Sequence, residues 1–410
     1  MENRIASALR AAEARTEYLN LINTNFHDCG LATDPDVIAS SVSSFLHDRS
    51  LRPYRPDPAG SPLLREAVAG WYRQAGMELD ASSVIVTASA SESYRHLFTA
   101  CCRAGGTVLL PRPGYPLFED VAERCGLEPR FYRLLAENRW GVQPEEIAAL
   151  MVHDTRAVVL ISPNNPTGTV IDSDAVREIG KLCARRGVAL IVDEVFSEYR
   201  FETNRARSAA APALHAELPR PGALCPETAV YTINGVSKLF AAPDLKVSWI
   251  ALTGPPDHVA DARERLEIEN DLYLSASPIN QFVAARLLDH HAEWTAALVA
   301  EVGARRDAML AALRHLDGRH PGVVSWIEPA GGIHLPLLFE SAPGGMNDEE
   351  LAIELLDRHA LSVHPGYLYG EEERTMIVVS YLAPEPVIRE GISRLDDWIS
   401  SRRTTRAMRP

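Results

Sequence analysis

The first 21 residues contain no long apolar run. Met1 to Leu21 mixes charged residues with alanines, so neither a secretory signal nor a membrane span is expected there. Cysteine is scarce and scattered: Cys29, Cys101, Cys102, Cys125, Cys183 and Cys225 include no pair at metal-ligand spacing. That pattern reads as reduced thiols in a cytoplasmic protein, with no metal site. Basic residues are outnumbered, 41 against 55 acidic, for a formal net charge of -14. An acidic chain of this kind has no electrostatic footprint for nucleic acid or for an anionic membrane. Its one basic cluster, Arg402, Arg403, Arg406 and Arg409, reads as a solvated terminus. No Gly-x-Gly-x-x-Gly follows the first strand-like run and no Walker lysine loop occurs, which removes the nucleotide-binding classes. There is no internal repeat and no low-complexity tract.

What remains is a soluble globular composition, 46% apolar and 23% charged. At 410 residues the chain exceeds one ordinary core, so two domains are expected. Short β-branched runs alternate with helix-like stretches from about residue 60 to 285. The runs are Val84 to Thr87, Thr107 to Leu110, Ala157 to Ser162, Val188 to Asp193, Ala229 to Asn234 and Val247 to Thr253. Strand and helix in alternation predict a mostly parallel α/β sheet with helices on both faces. Ligands of such sheets bind beyond the carboxyl ends of the strands. From residue 286 the pattern changes: a long helical stretch from Gln281 to Leu316, broken once, then short strands and a helix from Asn347 to His359. This predicts a smaller α+β domain of residues 1–49 and 286–410, beside a large domain of residues 50–285.

Four segments at the ends of these runs carry chemistry. The run Val230 to Asn234 leads through Gly235-Val236-Ser237 into Lys238. The run Val188 to Val192 ends in Asp193-Glu194, and an acid at the end of a buried strand needs a cationic partner. Ser162-Pro163-Asn164-Asn165-Pro166-Thr167-Gly168 is a turn by composition, and Asn165 could hold an amide over a ligand. Thr87 to Ser93 opens a helix with small residues, which frees backbone N–H groups for an anion. Each feature alone has an ordinary structural reading: a surface lysine, an N-cap, a plain turn.

Together, in this order, they resemble the class I/II aminotransferases, the fold-type I pyridoxal-phosphate family, over Tyr54 to Ser380. The strongest elements are Asn-Asn-Pro-Thr-Gly at 164–168, Asp193 on its strand, and Ser237-Lys238 followed by Pro243 and Trp249. The resemblance implies a seven-stranded-type central sheet and pyridoxal 5′-phosphate held by Lys238 as a Schiff base. It implies that Lys238 also moves the proton between the substrate Cα and the cofactor. Asp193 is then the partner of the pyridine nitrogen, Asn165 the donor to the 3′-oxygen, and Tyr115 the ring that stacks on the cofactor. Ser89, Ala90 and Ser91 form the phosphate cup, with Ser237 beside it. Tyr54 matches a tyrosine that reaches the phosphate of a neighbouring subunit, which implies a homodimer with shared active sites.

The chain departs from the family pattern at four positions. Lys246 replaces the phosphate-binding arginine, keeping the charge and losing the fork. Gly235 replaces a serine, which removes one phosphate hydroxyl. Phe196 replaces a tyrosine whose hydroxyl bonds the 3′-oxygen in relatives. Val378 stands where many relatives place an arginine that clamps the substrate carboxylate. Candidate substrate residues are Asn25, Phe26 and His27, His334 after Gly331-Gly332, and His364; each histidine reads equally well as a packed residue. Arg286, Arg305 and Arg306 lie on helix-like stretches, where an exposed face is expected.

The leading expectation is ping-pong transamination of an amino acid. The alternative keeps the cofactor and changes the outcome to elimination, replacement, cyclisation or oxidation of an amino acid in a natural-product pathway, since fold alone does not fix the reaction. A regulatory, non-enzymatic role has no DNA-binding extension to support it.

Overall fold

The computed structural model describes residues 4–15, 18–102, 104–201, 220–340 and 345–407. A seven-stranded sheet organises the larger part. Its strands in chain order are β1 (Val84–Thr87), β2 (Thr107–Arg112), β3 (Glu128–Arg133), β4 (Thr155–Ile161), β5 (Ala189–Asp193), β6 (Val230–Gly235) and β7 (Ser248–Thr253). They lie side by side in the order β1-β7-β6-β5-β4-β2-β3. β7 runs antiparallel to both its neighbours; the other pairs are parallel.

Continuous apolar runs suit this sheet because both its faces are buried. Val108, Leu110, Val159, Ile161 and Ile191 meet one helical layer, which includes Tyr94, Leu97 and Phe98. Their chain neighbours Leu109, Val158, Leu160, Leu190 and Val192 pack on the opposite side with Ile179 and Cys183. The six strands expected from sequence are all present. β3 is additional: it is an edge strand of sequence Glu-Pro-Arg-Phe-Tyr-Arg with only Tyr132 fully buried, so its polarity hid it. Register brings the carboxyl ends to one edge, with Ile161 opposite Asp193, Asp193 opposite Ile233, and both Thr87 and Gly235 opposite Ser248.

A second, four-stranded sheet joins Val324–Ser325, His334–Phe339, Thr375–Ser380 and His364–Pro365, all antiparallel. Leu335, Leu337, Ile377 and Val379 point to one face of it, into a core shared with Leu313, Leu355 and Trp398. Ile5, Leu21, Phe26 and Leu31 of the N-terminal segment enter the same core. The next helix, Pro35–His47, does not. Its stripe of Val37, Ile38 and Val42 packs on the core around Leu64, Val68 and Val283, and Phe45 meets Phe282 edge-on at 5.6 Å. The first 49 residues are thus divided between the two cores. The expected long helix is two helices, Pro278–Asp289 and His291–Arg319, interrupted at His290. Among the described residues no helix is long and apolar enough to cross a membrane.

Candidate active site

A cavity of about 450 Å³ opens at the carboxyl edge of the large sheet. Its lining includes Ser89, Ala90, Ser91, Tyr94, Tyr115, Asn165, Asp193, Phe196, Ser237, Lys238, Lys246, His334 and His364.

Lys238 follows β6 in a single helical turn, Val236–Leu239. Its Nζ lies 5.4 Å from the centroid of the Phe26 ring and 6.0 Å from that of Phe196. The Tyr199 hydroxyl donates to the Lys238 carbonyl at 2.6 Å and fixes the turn. The surface Lys238 retains faces the cavity, and surrounding protein lowers its pKa by desolvation. Gly235 is needed at the foot of this turn. A Cβ there would lie 2.8 Å from both the Ser248 Oγ and the Val247 carbonyl oxygen, so the serine of the family pattern could not enter without a shift.

Asp193 ends β5 and is 5% exposed. Its carboxylate accepts from the Tyr94 hydroxyl at 3.0 Å and from the Val195 amide at 3.0 Å. Burial pushes its pKa up to about 6 against those two donors. Both partners are neutral, so the cavity holds a buried acid suited to a cation.

The turn after β4 is tied together by Asn164. Its side chain accepts from the Thr167 amide at 3.2 Å and from the Thr167 hydroxyl at 2.9 Å. Gly168 adopts a φ of +68° and a Cβ there would strike Pro329. With Asn164 bonded inward, the neighbouring Asn165 lines the cavity, and its Oδ1 is buried without a partner among the described residues. A buried polar atom without a partner calls for an explanation, and a ligand group in this cavity is one that fits.

Ser89 caps the helix Ala90–Ala100 by accepting from the Glu92 amide at 3.2 Å. Glu92 reaches back to the Ala88 amide at 2.6 Å. The N–H groups of Ala90 and Ser91, at the first two helical positions, face an anion site by default. Ser237 and Lys246 line the same cavity. Lys246 has a φ of +52°, at the end of the turn Pro243–Leu245.

The smaller sheet supplies the remaining wall. His334 is buried and meets the Phe196 ring edge-on at 6.4 Å. Burial, with Lys238 and His364 nearby, drives its pKa down to about 3. His364 Nδ1 lies 3.0 Å from the Tyr369 hydroxyl oxygen, and desolvation lowers its pKa too.

Other sequence candidates fall elsewhere. Phe26 is fully buried in the smaller core, with its ring against Lys238. Asn25 and His27 do not line the cavity; the Asn25 side chain accepts from the His27 amide at 3.0 Å, and His27 faces Asp244 at 3.9 Å. The lining residues from this segment are Ile22 and Thr24. Tyr115 lines the cavity, whereas Tyr54 is 72% exposed in a separate groove with Arg52 and Asn270. Arg305 and Arg306 are buried: Arg305 donates to the Cys29 carbonyl at 2.9 Å and Arg306 to the Pro329 carbonyl at 2.9 Å. These carbonyl bonds correct the expectation of an exposed face for that pair; Arg286 pairs with Asp289 at the surface. Sequence reasoning missed Tyr94, Tyr369, Ile22 and Thr24. For Tyr94 a signal existed, because it lies one helical turn beyond Ala90 on the face turned to the sheet.

The fold and this cavity define an α/β enzyme of the fold-type I kind, with a lysine, an acid and a helix N-terminus at one sheet edge. The chain belongs to the class I and II aminotransferases: the family model described as "Aminotransferase class I and II" matches residues 19–395. The arginine–pyruvate transaminase AruH of Pseudomonas aeruginosa is 27% identical over 370 residues, covering 88% of this chain and 87% of that protein. The S-alkyl-thiohydroximate lyase SUR1 of Arabidopsis thaliana is 30% identical, over 55% of this chain and 47% of its own length. The solved structure of an alanine aminotransferase from Pyrococcus furiosus superposes with a TM-score of 0.87 at 22% identity, over 97% of this chain and 96% of that one.

Proposed function

We propose that the protein moves amino groups from an amino-acid donor to an oxo-acid acceptor in two half-reactions, with pyridoxal 5′-phosphate anchored on Lys238 as a Schiff base. The observation that carries this reading is the convergence of Lys238, Asp193 and the orphaned Asn165 amide on one cavity beside a capped helix N-terminus. When bound, the cofactor supplies an electron sink for the breaking Cα–H bond of the donor.

The side chains divide the remaining work. Burial disfavours the ammonium form of Lys238. This lysine holds the cofactor at rest and, once a donor has displaced it, carries the proton away from the donor's Cα. Asp193 keeps a proton on the pyridine nitrogen; the pairing removes the cost of a lone buried carboxylate. Asn165 bonds the ring oxygen and Tyr115 covers the ring face. The Ala90 and Ser91 amides, the Ser89 and Ser237 hydroxyls and the Lys246 ammonium take the phosphate. Tyr54, exposed and outside its own chain's cavity, serves the partner's phosphate in a homodimer. The large domain at 50–285 carries these groups, and the flanking segments close over the donor.

Transamination is preferred to elimination or the other outcomes because AruH matches along nearly the whole chain, whereas the lyase relative matches about half of it. The test is a half-reaction. Single amino compounds, both amino acids and their amides, are added to the loaded enzyme without an acceptor. Conversion of the cofactor to its amine form with one equivalent of oxo product supports the reading; release of ammonia or of a side-chain fragment overturns it. Borohydride reduction followed by peptide mapping checks the anchor, which must be Lys238.

A further inference from the structure

The cofactor reading leaves part of the cavity wall unused: Ile333, His334, His364, Leu368 and Tyr369, all from the smaller sheet and the turn beside it. Strand register explains why the polar members share one face. His364 and Pro336 both pair directly with Val378, and His334 pairs with Ser380. Directly paired residues of antiparallel strands project to the same side, as do residues two apart along a strand. His334, His364 and Val378 therefore belong to one face, and the other face carries the apolar core.

This wall has hydrogen-bonding capacity and no fixed charge. Val378 is apolar and fully buried, in the cluster that holds Ile22 and Tyr369. His364 shares one hydrogen bond with the Tyr369 hydroxyl, which leaves its second ring nitrogen. Each neutral imidazole offers one donor and one acceptor. Burial, with Lys238 and His364 nearby, keeps the His334 ring uncharged at neutral pH. Among the described residues the lining cations are Lys238 and Lys246, and both have roles toward the cofactor. A free carboxylate against this wall would lose its hydration and gain no counter-charge. A carbonyl, amide or hydroxyl would lose less and find its partners.

We propose that His334, His364 and Tyr369 recognise an uncharged hydrogen-bonding group on the amine-bearing carbon of the donor. The site then selects amino-acid derivatives whose carboxyl is masked, as an amide or an ester, over free α-amino acids. This rests on the aminotransfer reading of the same cavity.

The experiment compares L-amino acids with their matched amides in the half-reaction of the loaded enzyme. It adds calorimetric binding of amine-free pairs such as propionate and propionamide, which cannot react. The expected result is a kcat/KM about tenfold or more higher for the amide, and tighter binding of propionamide. His334→Gln and His364→Gln should each reduce the amide rate more than the acid rate, so that the amide-to-acid preference falls. Val378→Arg should shift preference toward the acid. If free acids react ten times faster than their amides, or propionate binds more tightly, the proposal is overturned and the transaminase reading stands. If neither series converts the cofactor, both fall together.

Discussion

At the residue scale the buried acid and the buried histidine act in opposite directions on stability. Asp193 holds its proton up to about 6 in the fold, against an ordinary value of 3.8. Between those values the folded state binds more protons than the unfolded chain, so the cofactor-free protein loses stability as pH rises through that window. The full loss is about 3 kcal/mol. Asp193→Asn should therefore raise the melting temperature of the cofactor-free protein at pH 7 while cutting turnover by roughly 10²–10⁴; an unchanged or lower melting temperature would contradict burial of the carboxylate as the cause. His334 works the other way. Its folded value of about 3 lies below the ordinary 6.5, so its contribution is present above pH 6.5 and is lost as pH falls toward 3. His334→Gln should flatten the acid side of the stability profile. Phe196 gives a spectroscopic prediction. Its ring stands about 6.0 Å from the Lys238 Nζ, and Phe196→Tyr should add a hydroxyl that stabilises the deprotonated Schiff base of the loaded enzyme. A visible pH titration should then show a lower pKa than wild type. Lys238, Asp193 and Asn165 stood out in the sequence because they lie at or just beyond strand ends and carry unusual neighbours. His334 and His364 were not separable from packed residues, because a register across three strands brings them to one face; Tyr369 joins them from the turn beside the sheet, and no local spacing encodes either placement.

At the scale of elements, the strands were readable wherever burial on both faces forced an unbroken apolar run. β3 escaped because an edge strand exposes one side and tolerates charge. The helix Pro35–His47 escaped differently: its apolar stripe predicts a helix, but nothing local says which of two cores receives it. The β6-to-Lys238 turn is the element on which the site depends most. Gly235→Ser would drive a Cβ to within 2.8 Å of Ser248 Oγ and of the Val247 carbonyl. Overpacking of this kind costs about 1–3 kcal/mol, readable as a lower urea midpoint, and should weaken cofactor retention by moving Lys238. Ser248→Ala in the same chain should rescue only part of the loss, because the Val247 carbonyl is backbone and cannot be trimmed. Complete rescue would mean that the side chain alone sets the constraint.

At the scale of the whole molecule, the tyrosine proposed to reach the cofactor phosphate lies outside its own chain's cavity. Tyr54 is 72% exposed, and its groove is bordered by Leu274 and Ser275. Leu272 and Tyr273, immediately before them, are 68% and 55% exposed. Large apolar side chains exposed together mark association surfaces more often than plain solvent-facing ones. In the proposed homodimer each Tyr54 would serve the partner's cavity. Complementation separates this arrangement from a tyrosine that serves its own chain. Tyr54→Ala should weaken cofactor binding by about tenfold or more, the loss expected for one hydrogen bond to a charged group, and Lys238→Ala should abolish turnover. Unfolding and refolding an equal mixture yields heterodimers in which one site combines an intact Lys238 with the partner's intact Tyr54. Random pairing makes half the dimers mixed, each with one complete site, so activity should return to about a quarter of wild type at limiting cofactor. If Tyr54 acted within its own chain, every site in the mixture would carry one defect, and activity would stay at the average of the two variants.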